Sequence, residues 1–153
     1  MTGLTFDGRP GDGEMMETMP RDSDVVYEWR GAFGNAEVNH LDAEGFEHRL
    51  LDVDWRSQLD SHSLGWVLAR CAGELVGFVN VAWDGGVHAF VLDTVVASSA
   101  RRAGLGAELV ARAALGAGAA GCEWLHVDFE EHLRGFYFDA CGFQATNAGL
   151  IQL

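Results

Sequence analysis

The chain has 153 residues, of which 48% are hydrophobic, and a formal net charge of −13 at neutral pH. This apolar content is sufficient for one globular core, whereas the acidic balance argues against nucleic-acid binding, which depends on basic patches. No apolar run approaches the ~20 residues that cross a bilayer, and the N-terminus lacks a signal-peptide pattern. We therefore expect a cytoplasmic protein with no nucleic-acid or membrane partner.

The first part of the chain predicts an arm followed by a short strand and helices. Residues 1–22 are rich in Gly, Asp, Glu and Met, a composition typical of a loose arm, and leave 23–153 as a single domain. Val25–Trp29 is predicted as a strand from its β-branched and aromatic residues. Between Asn35 and Leu59, apolar residues at roughly helical intervals predict two short helices.

Three strands are predicted next, joined by hairpin turns. They are Leu64–Cys71, Leu75–Trp83 and Val87–Ala97. Gly73-Glu74 and Asp84-Gly85-Gly86 separate them, and such glycine-containing pairs are typical of tight turns. The sequence therefore predicts an antiparallel meander.

The last third of the chain predicts alternating helices and strands. A helix over Ala103–Ala117 is followed by a strand over Trp124–Asp128 and a helix over His132–Cys141. Very short final strands are predicted around 144–146 and 150–153, and a short closing hairpin would leave a sheet edge that a second subunit could cover as a homodimer. The order of elements predicts one mixed α/β sheet.

An anion site is predicted where the third strand of the meander turns into the following helix. Backbone N–H groups at a helix N-terminus attract phosphate groups, and glycines allow the chain to turn tightly there. A Rossmann fingerprint would need a third glycine where Leu109 stands, and the chain has no Gly-Lys-Ser/Thr of a Walker loop. The motif that the chain does contain at this turn is Arg-x-x-Gly-x-Gly, formed by Arg101, Gly104 and Gly106.

This hexapeptide closely resembles the pyrophosphate loop of the GNAT acyltransferase superfamily. Downstream, Phe136-Tyr137-Phe138 and Gly142-Phe143 fill the places where the superfamily has Phe-Tyr at the end of a short helix and Gly-Phe at the next strand. The resemblance covers roughly Ser63 to Phe143. It implies a mainly antiparallel sheet that splays at a cofactor cleft and is flanked by helices.

The resemblance also implies a function and a set of cofactor contacts. We expect an N-acetyltransferase that moves an acetyl group from acetyl-CoA directly to an amine of a small molecule or peptide. The alternative is a catalytically weak or inactive module that binds acyl-CoA or a protein partner in a regulatory role. The implied cofactor-binding residues are Thr94, Val95, Val96, Arg101, Arg102, Ala103, Gly104, Leu105, Gly106, Ala107 and Phe138.

The catalytic acid departs from the superfamily pattern. A tyrosine usually stands four residues before the glycine of Gly-Phe, but here that position is Phe138, and Tyr137 is one residue earlier. Either the helix carries an extra residue that re-aims Tyr137, or the protein works without this acid. An asparagine that usually contacts the cofactor arm is replaced by Glu131.

Asp93 is the preferred candidate for a general base, because a carboxylate on an apolar strand serves either the site or a hydrogen-bond network. Alternation along the strand would put it on one face with Val91 and Val95. Further candidates are His88, His126 and Asp128. No metal site is expected, since His126, Asp128 and His132 lack the frame of a known metal motif. Three scattered cysteines predict reduced thiols.

Overall fold

A computed structural model describes residues 24–153, so the predicted N-terminal arm lies outside the described part of the chain. Five strands form one sheet in the order β1-β2-β3-β4-β5. Their bounds are β1 Val25–Trp29, β2 Ser63–Cys71, β3 Glu74–Trp83, β4 His88–Val96 and β5 Trp124–Val127. These strands agree with the predicted ones within one or two residues.

Three α-helices accompany the sheet, namely α1 Asn35–Gly45, α2 Trp55–His62 and α3 Leu105–Ala119. The start of α2 is capped by Asp54, whose side chain accepts a hydrogen bond from the Ser57 amide at 3.2 Å. Shorter helical segments cover Ser98–Ala100, Glu131–Leu133 and Gly135–Ala140, the last being a π-helix. The predicted helix over His132–Cys141 is therefore two different short helices.

The sheet is antiparallel from β1 to β4, and β5 pairs parallel to β4. Glycine turns produce the tight hairpin between β2 and β3, where Gly73 has a φ of +86° that side-chain-bearing residues rarely adopt. The parallel pair extends only from His88 opposite Trp124 to Val91 opposite Val127. β4 continues beyond this pairing to Val96, which opens the sheet between β4 and β5.

The hydrophobic core lies on both faces of the sheet. On one face α3 packs so closely that a Cβ on Gly77 would come within 2.9 Å of the Leu109 side chain. On the other face, α1 and α2 cover β2 to β4, and Trp55 meets Phe78 edge to face at a centroid distance of 5.6 Å. None of the helices in the described region combines the length and apolar character needed to span a bilayer.

The prediction of two short final strands is wrong. Residues 143–153 contain no strand, and most of their side chains are exposed. A strand forms only where a neighbouring backbone satisfies its N–H and C=O groups, and this segment finds no such neighbour in the described part of the chain. The proposed closing hairpin, from which the homodimer was argued, is thus not formed within residues 24–153.

Candidate active site

A cleft opens in the sheet where β4 runs past the end of β5. Within the described residues, the segment of β4 from Leu92 to Val96 has no partner on the β5 side. Its backbone N–H and C=O groups on that edge are therefore available to a ligand that lies between the two strands. Thr94, Val95 and Val96, which the sequence assigned to this role, all belong to this segment.

A β-bulge at Asp93 changes which side chains of β4 share a face of the sheet. On β3, Phe78 and Asn80 are two residues apart, but they pair with Val95 and Leu92, which are three apart. Asp93 takes up the extra residue with a φ of +55°, in the left-handed region. The predicted alternation is therefore wrong, because Val91 and Val95 point to opposite faces of the sheet.

The Asp93 carboxylate lies in a polar network on the face that α1 and α2 cover. Asn80 Nδ2 donates to Asp93 Oδ2 at 3.1 Å, and Ser63 Oγ donates to Asn80 Oδ1 at 2.6 Å. Burial raises the pKa of Asp93, and the nearby Asp42 carboxylate raises it further, while the Asn80 hydrogen bond acts in the opposite direction. A carboxylate with a raised pKa is a better proton acceptor than an exposed one.

The turn after β4 has the geometry of an anion site. Gly104 is the N-cap of α3 with a φ of +83°, and no side chain caps this helix. The amides of its first turn, Leu105 to Ala107, have no acceptor within the helix. Gly106 leaves room for a neighbouring ring, because a Cβ there would lie 3.1 Å from the Phe136 side chain. Uncapped amides at a helix N-terminus fit a phosphate group.

The two arginines of the turn differ in their contacts. Arg101 is bound to backbone carbonyls, with Nε donating to Val96 O and Nη2 donating to Gly45 O, each at 3.3 Å. Arg102 is exposed, has a φ of +67°, and makes no hydrogen bond or ion pair with any residue in the range 24–153. Arg101 therefore ties the turn to the end of α1, whereas Arg102 is the arginine that a ligand could recruit.

Tyr137 is directed into the cleft by the π-helix. The Cys141 amide donates to Phe136 O at 3.0 Å, so this turn takes one residue more than an α-helical turn. Tyr137 stands five residues before Gly142. The wider π-helical turn brings Tyr137 towards β4. In an α-helix, the following residue, Phe138, would occupy that position. This is the extra helical residue that the sequence left as one of two possibilities.

The Tyr137 side chain is buried and held by other aromatic rings. Phe129 stacks on it at a centroid distance of 4.8 Å, and Phe136 and Phe143 meet it edge to face. Burial raises the pKa of Tyr137, and the adjacent Thr94 side chain lowers it to a smaller extent. The Thr94 hydroxyl is itself buried without a hydrogen bond of ordinary geometry to any described residue. A neutral phenol thus faces an unsatisfied hydroxyl on the open strand.

Two other positions from the sequence analysis lie at the edge of this aromatic cluster. Phe138 is half-buried, meets Phe129 edge to face at 5.2 Å, and lies under the Arg134 guanidinium. Glu131 is exposed in the short helix before it. Phe138 therefore supports the ring cluster from outside.

The remaining histidine candidates are placed apart from Asp93. His88 Nδ1 and His126 Nε2 face each other at 2.8 Å across β4 and β5, and the His126 ring stacks on Phe90. His132 instead lies 3.3 Å from Glu130. In the described range, no group of three or more His, Cys, Asp or Glu side chains is arranged to hold a metal ion. All three cysteines are free thiols.

Sequence reasoning missed the polar groups behind Asp93. Asn80 is only 2% exposed in the middle of β3, and this asparagine between valines was a visible signal for a buried network. Asp42 and His48 gave no such signal, because α1 and the loop after it are brought to β4 only by tertiary packing.

A sheet opened between parallel strands, beside a glycine turn that starts a helix, defines the acyl-CoA N-acyltransferase type of fold. The sequence agrees with this class, since residues 24–143 match the profile of the Acetyltransferase (GNAT) family. The chain belongs to the GNAT acetyltransferase family. No curated protein matches the sequence at a significant level.

Solved structures share this fold at low sequence identity. A GNAT-family acetyltransferase from Streptococcus pneumoniae is 24% identical, with a TM-score of 0.69, covering 84% of this chain and 97% of that one. A transcriptional regulator from Bacillus halodurans is 20% identical, with a TM-score of 0.70 and coverage of 84% and 99%. An aminoglycoside acetyltransferase from an uncultured soil metagenomic sample, in complex with sisomicin, is 14% identical, with a TM-score of 0.67 and coverage of 86% and 96%.

Proposed function

We propose that the protein is an N-acetyltransferase that moves an acetyl group from acetyl-CoA directly to an amine of a small molecule or peptide. The observation that carries this proposal is the position of Tyr137, which the π-helix turns towards Thr94 on the open strand. The family membership supports the transfer chemistry. The structural neighbour that holds sisomicin is consistent with a small-molecule amine as acceptor.

The glycine turn and β4 fit the two ends of acetyl-CoA. The uncapped amides of Leu105 to Ala107 suit the pyrophosphate, and the exposed Arg102 adds a positive charge. The open backbone edge of Thr94 to Val96 suits the pantetheine arm, whose amides both donate and accept hydrogen bonds. Acetyl-CoA supplies an activated acyl group, and the side chains of this protein carry out the proton transfers.

Asp93 and Tyr137 are assigned the two proton transfers. Asp93, directly or through a water molecule, accepts a proton from the acceptor's ammonium group and frees the lone pair that attacks the acetyl carbon. The new C–N bond forms as the C–S bond breaks, and Tyr137 donates its phenolic proton to the departing sulfur. The nitrogen loses its second proton to solvent, solvent reprotonates Tyr137, and Asp93 releases its proton to solvent. The raised pKa values suit both tasks, because Asp93 holds a proton well and Tyr137 stays protonated.

The test is turnover of acetyl-CoA with a panel of amines, measured as free thiol and confirmed by mass spectrometry of the acetylated product. The panel includes aminoglycosides, polyamines, arylalkylamines and peptides with a free N-terminus. We expect thiol release that depends on one amine class and is lost in Asp93→Asn. Binding of acetyl-CoA without turnover on any amine would instead support the regulatory module. Absence of binding would contradict the transferase and would leave, of the alternative, only a module that binds a protein partner.

A further inference from the structure

A second carboxylate, that of Asp42, acts on Asp93 and is hydrogen-bonded to a histidine. Asp42 is buried on the side of α1 that packs against the sheet. One helical turn later, Gly45 approaches β4 so closely that a Cβ there would lie 1.9 Å from Val95 Cγ2. This contact packs the end of α1 against β4, and the Asp42 charge acts on the Asp93 carboxyl.

His48 closes the network from the loop between α1 and α2. Its Nε2 lies 3.1 Å from Asp42 Oδ2, and its Nδ1 lies 2.8 Å from the carbonyl oxygen of Arg49. A carbonyl oxygen only accepts hydrogen bonds, and so does an ionised carboxylate. The two bonds exist together only when both ring nitrogens carry hydrogen, that is, when His48 is an imidazolium cation.

We propose that His48 is a positioning residue for Asp93: held by Asp42 as a cation, it offsets the Asp42 charge and so keeps Asp93 ionised and ready to accept a proton. The proposal rests on the role of Asp93 under the proposed function. His48 itself is assigned no contact with acetyl-CoA or the acceptor.

The groups that face Asp93 leave no other charge for this role. From β3, Asn80 offers a neutral amide that is already hydrogen-bonded to Ser63. From α1, Asp42 is the only charged group that acts on Asp93 among the residues described. The cation that cancels Asp42 must therefore come from its own partner, and that partner is His48. Without it, two carboxylates would share a poorly solvated site, and one would keep its proton.

The experiment is an NMR titration of the aspartate carboxyl carbons in the whole chain labelled with ¹³C-aspartate. Asp93→Asn identifies the Asp93 signal. The quantity to follow is the midpoint of the Asp93 carboxyl signal. In His48→Gln this midpoint is expected to move to higher pH. In Asp42→Asn, Asp93 is expected to titrate in a single step at lower pH than in the wild type.

His40→Gln is the matched control. His40 lies on α1, and its Nδ1 also faces a backbone carbonyl oxygen, that of Ala36 at 2.7 Å, but it has no carboxylate partner among residues 24–153. Its substitution removes a histidine from the helix that carries Asp42 and is expected to leave the Asp93 midpoint unchanged. Amide spectra of each variant establish that the fold is retained.

An Asp93 midpoint that is the same in His48→Gln as in the wild type would overturn the proposal, whatever the result in Asp42→Asn. If His48→Gln does not fold, His48→Asn provides the same comparison. The titration requires neither acetyl-CoA nor an acceptor, so it can succeed even if Asp93→Asn remains fully active. In that case the electrostatic role of His48 would stand, and the catalytic role of Asp93 would be wrong.

Once an acceptor is identified, the same variants give a kinetic readout. The acidic limb of kcat/KM against pH is expected to shift upward in His48→Gln and to stay in place in His40→Gln. A purely structural role of His48 would lower kcat/KM at every pH and leave the position of the limb unchanged.

Discussion

At the scale of single residues, the site is built from side chains whose protonation is set by burial. Asp93 and Tyr137 both have pKa values above their ordinary ones, and for both the largest cause is desolvation. In each case burial favours the uncharged form, so the carboxyl holds a proton more tightly and the phenol releases one less readily. The same environment that gives the fold its core thus suits Asp93 and Tyr137 to their proposed roles as proton acceptor and proton donor.

Asp93→Asn is expected to stabilise the fold at neutral pH while abolishing most of the activity. The raised pKa means that ionised Asp93 costs free energy in the folded state, and this cost is present above the folded pKa and disappears as pH falls below the unfolded value of 3.8. Asparagine also tolerates the left-handed backbone at this bulge. Chemical denaturation of both proteins at pH 7 and at pH 3 measures the difference. Equal stabilities at pH 7 would contradict the assignment of a buried, unfavourable charge.

Tyr137→Phe is expected to lower kcat by about 10²-fold or more, the usual contribution of a general acid. The ring stack with Phe129 is kept, so the fold and acetyl-CoA affinity should change little. Because the pKa of Tyr137 lies above its ordinary value of 10.0, wild-type activity should not decline through loss of this proton between pH 7 and 10. Tyr27→Phe, on β1 and away from the cleft, is the control. Unchanged kcat in Tyr137→Phe would show that the protein works without this acid.

At the scale of elements, the glycine turn and helix α3 form the proposed cofactor site. Gly104 needs its left-handed backbone to start the helix, whereas Gly118, near the end of the same helix, has open space around it and no such conformation. Substituting each of these two glycines therefore distinguishes the conformational requirement of the turn from the general effect of glycine on helix stability.

Gly104→Ala is expected to cost about 1 kcal/mol or more in stability, since a side chain is strained in the left-handed region. It should also weaken acetyl-CoA binding, because relief of the strain would reorient the amides of the first turn. Gly118→Ala should instead stabilise α3 by about 0.5–1 kcal/mol and leave binding unchanged. Thermal unfolding and calorimetry measure both effects. Wild-type affinity in Gly104→Ala would argue against this turn as the phosphate site.

Most elements could be predicted from sequence because their signals are local. Glycine turns ended the strands of the meander, and the change from apolar strand to Gly104 and Gly106 located the start of α3. The bulge at Asp93 could not be predicted, since one extra residue in β4 is visible only by counting against β3. The sequence likewise did not decide whether the last helix contains an extra residue, because the π-helical turn depends on packing against β4. The final strands failed because pairing requires a neighbour that the local pattern does not reveal.

At the scale of the whole molecule, charge opposes the approach of the donor. The net charge of −13 would repel the anionic phosphates of acetyl-CoA, the proposed donor, at long range, and the chain has ten arginines and no lysine. We therefore expect binding to come from short-range contacts at the turn, where uncapped amides and Arg102 are concentrated.

The association rate of acetyl-CoA is expected to rise as salt is added from about 20 to about 150 mM, because salt shortens the Debye length to ~8 Å and so screens the repulsion at longer distances. Stopped-flow measurement of binding, for example through tryptophan fluorescence, gives this rate. A rate that falls steadily with salt would mean that the arginines of the turn, and not the net charge, control the encounter.

The most direct test of the central claim is isothermal titration of the protein with acetyl-CoA, alongside the variant Arg102→Ala. Arg112→Ala, on α3 and paired with Glu108, is the control for loss of a positive charge. We predict one binding event in the wild type and in the control, and an affinity about 10-fold lower in Arg102→Ala, as expected for a lost contact to a charged group. No binding to the wild type, or equal affinity in Arg102→Ala, would contradict a cofactor site at this turn.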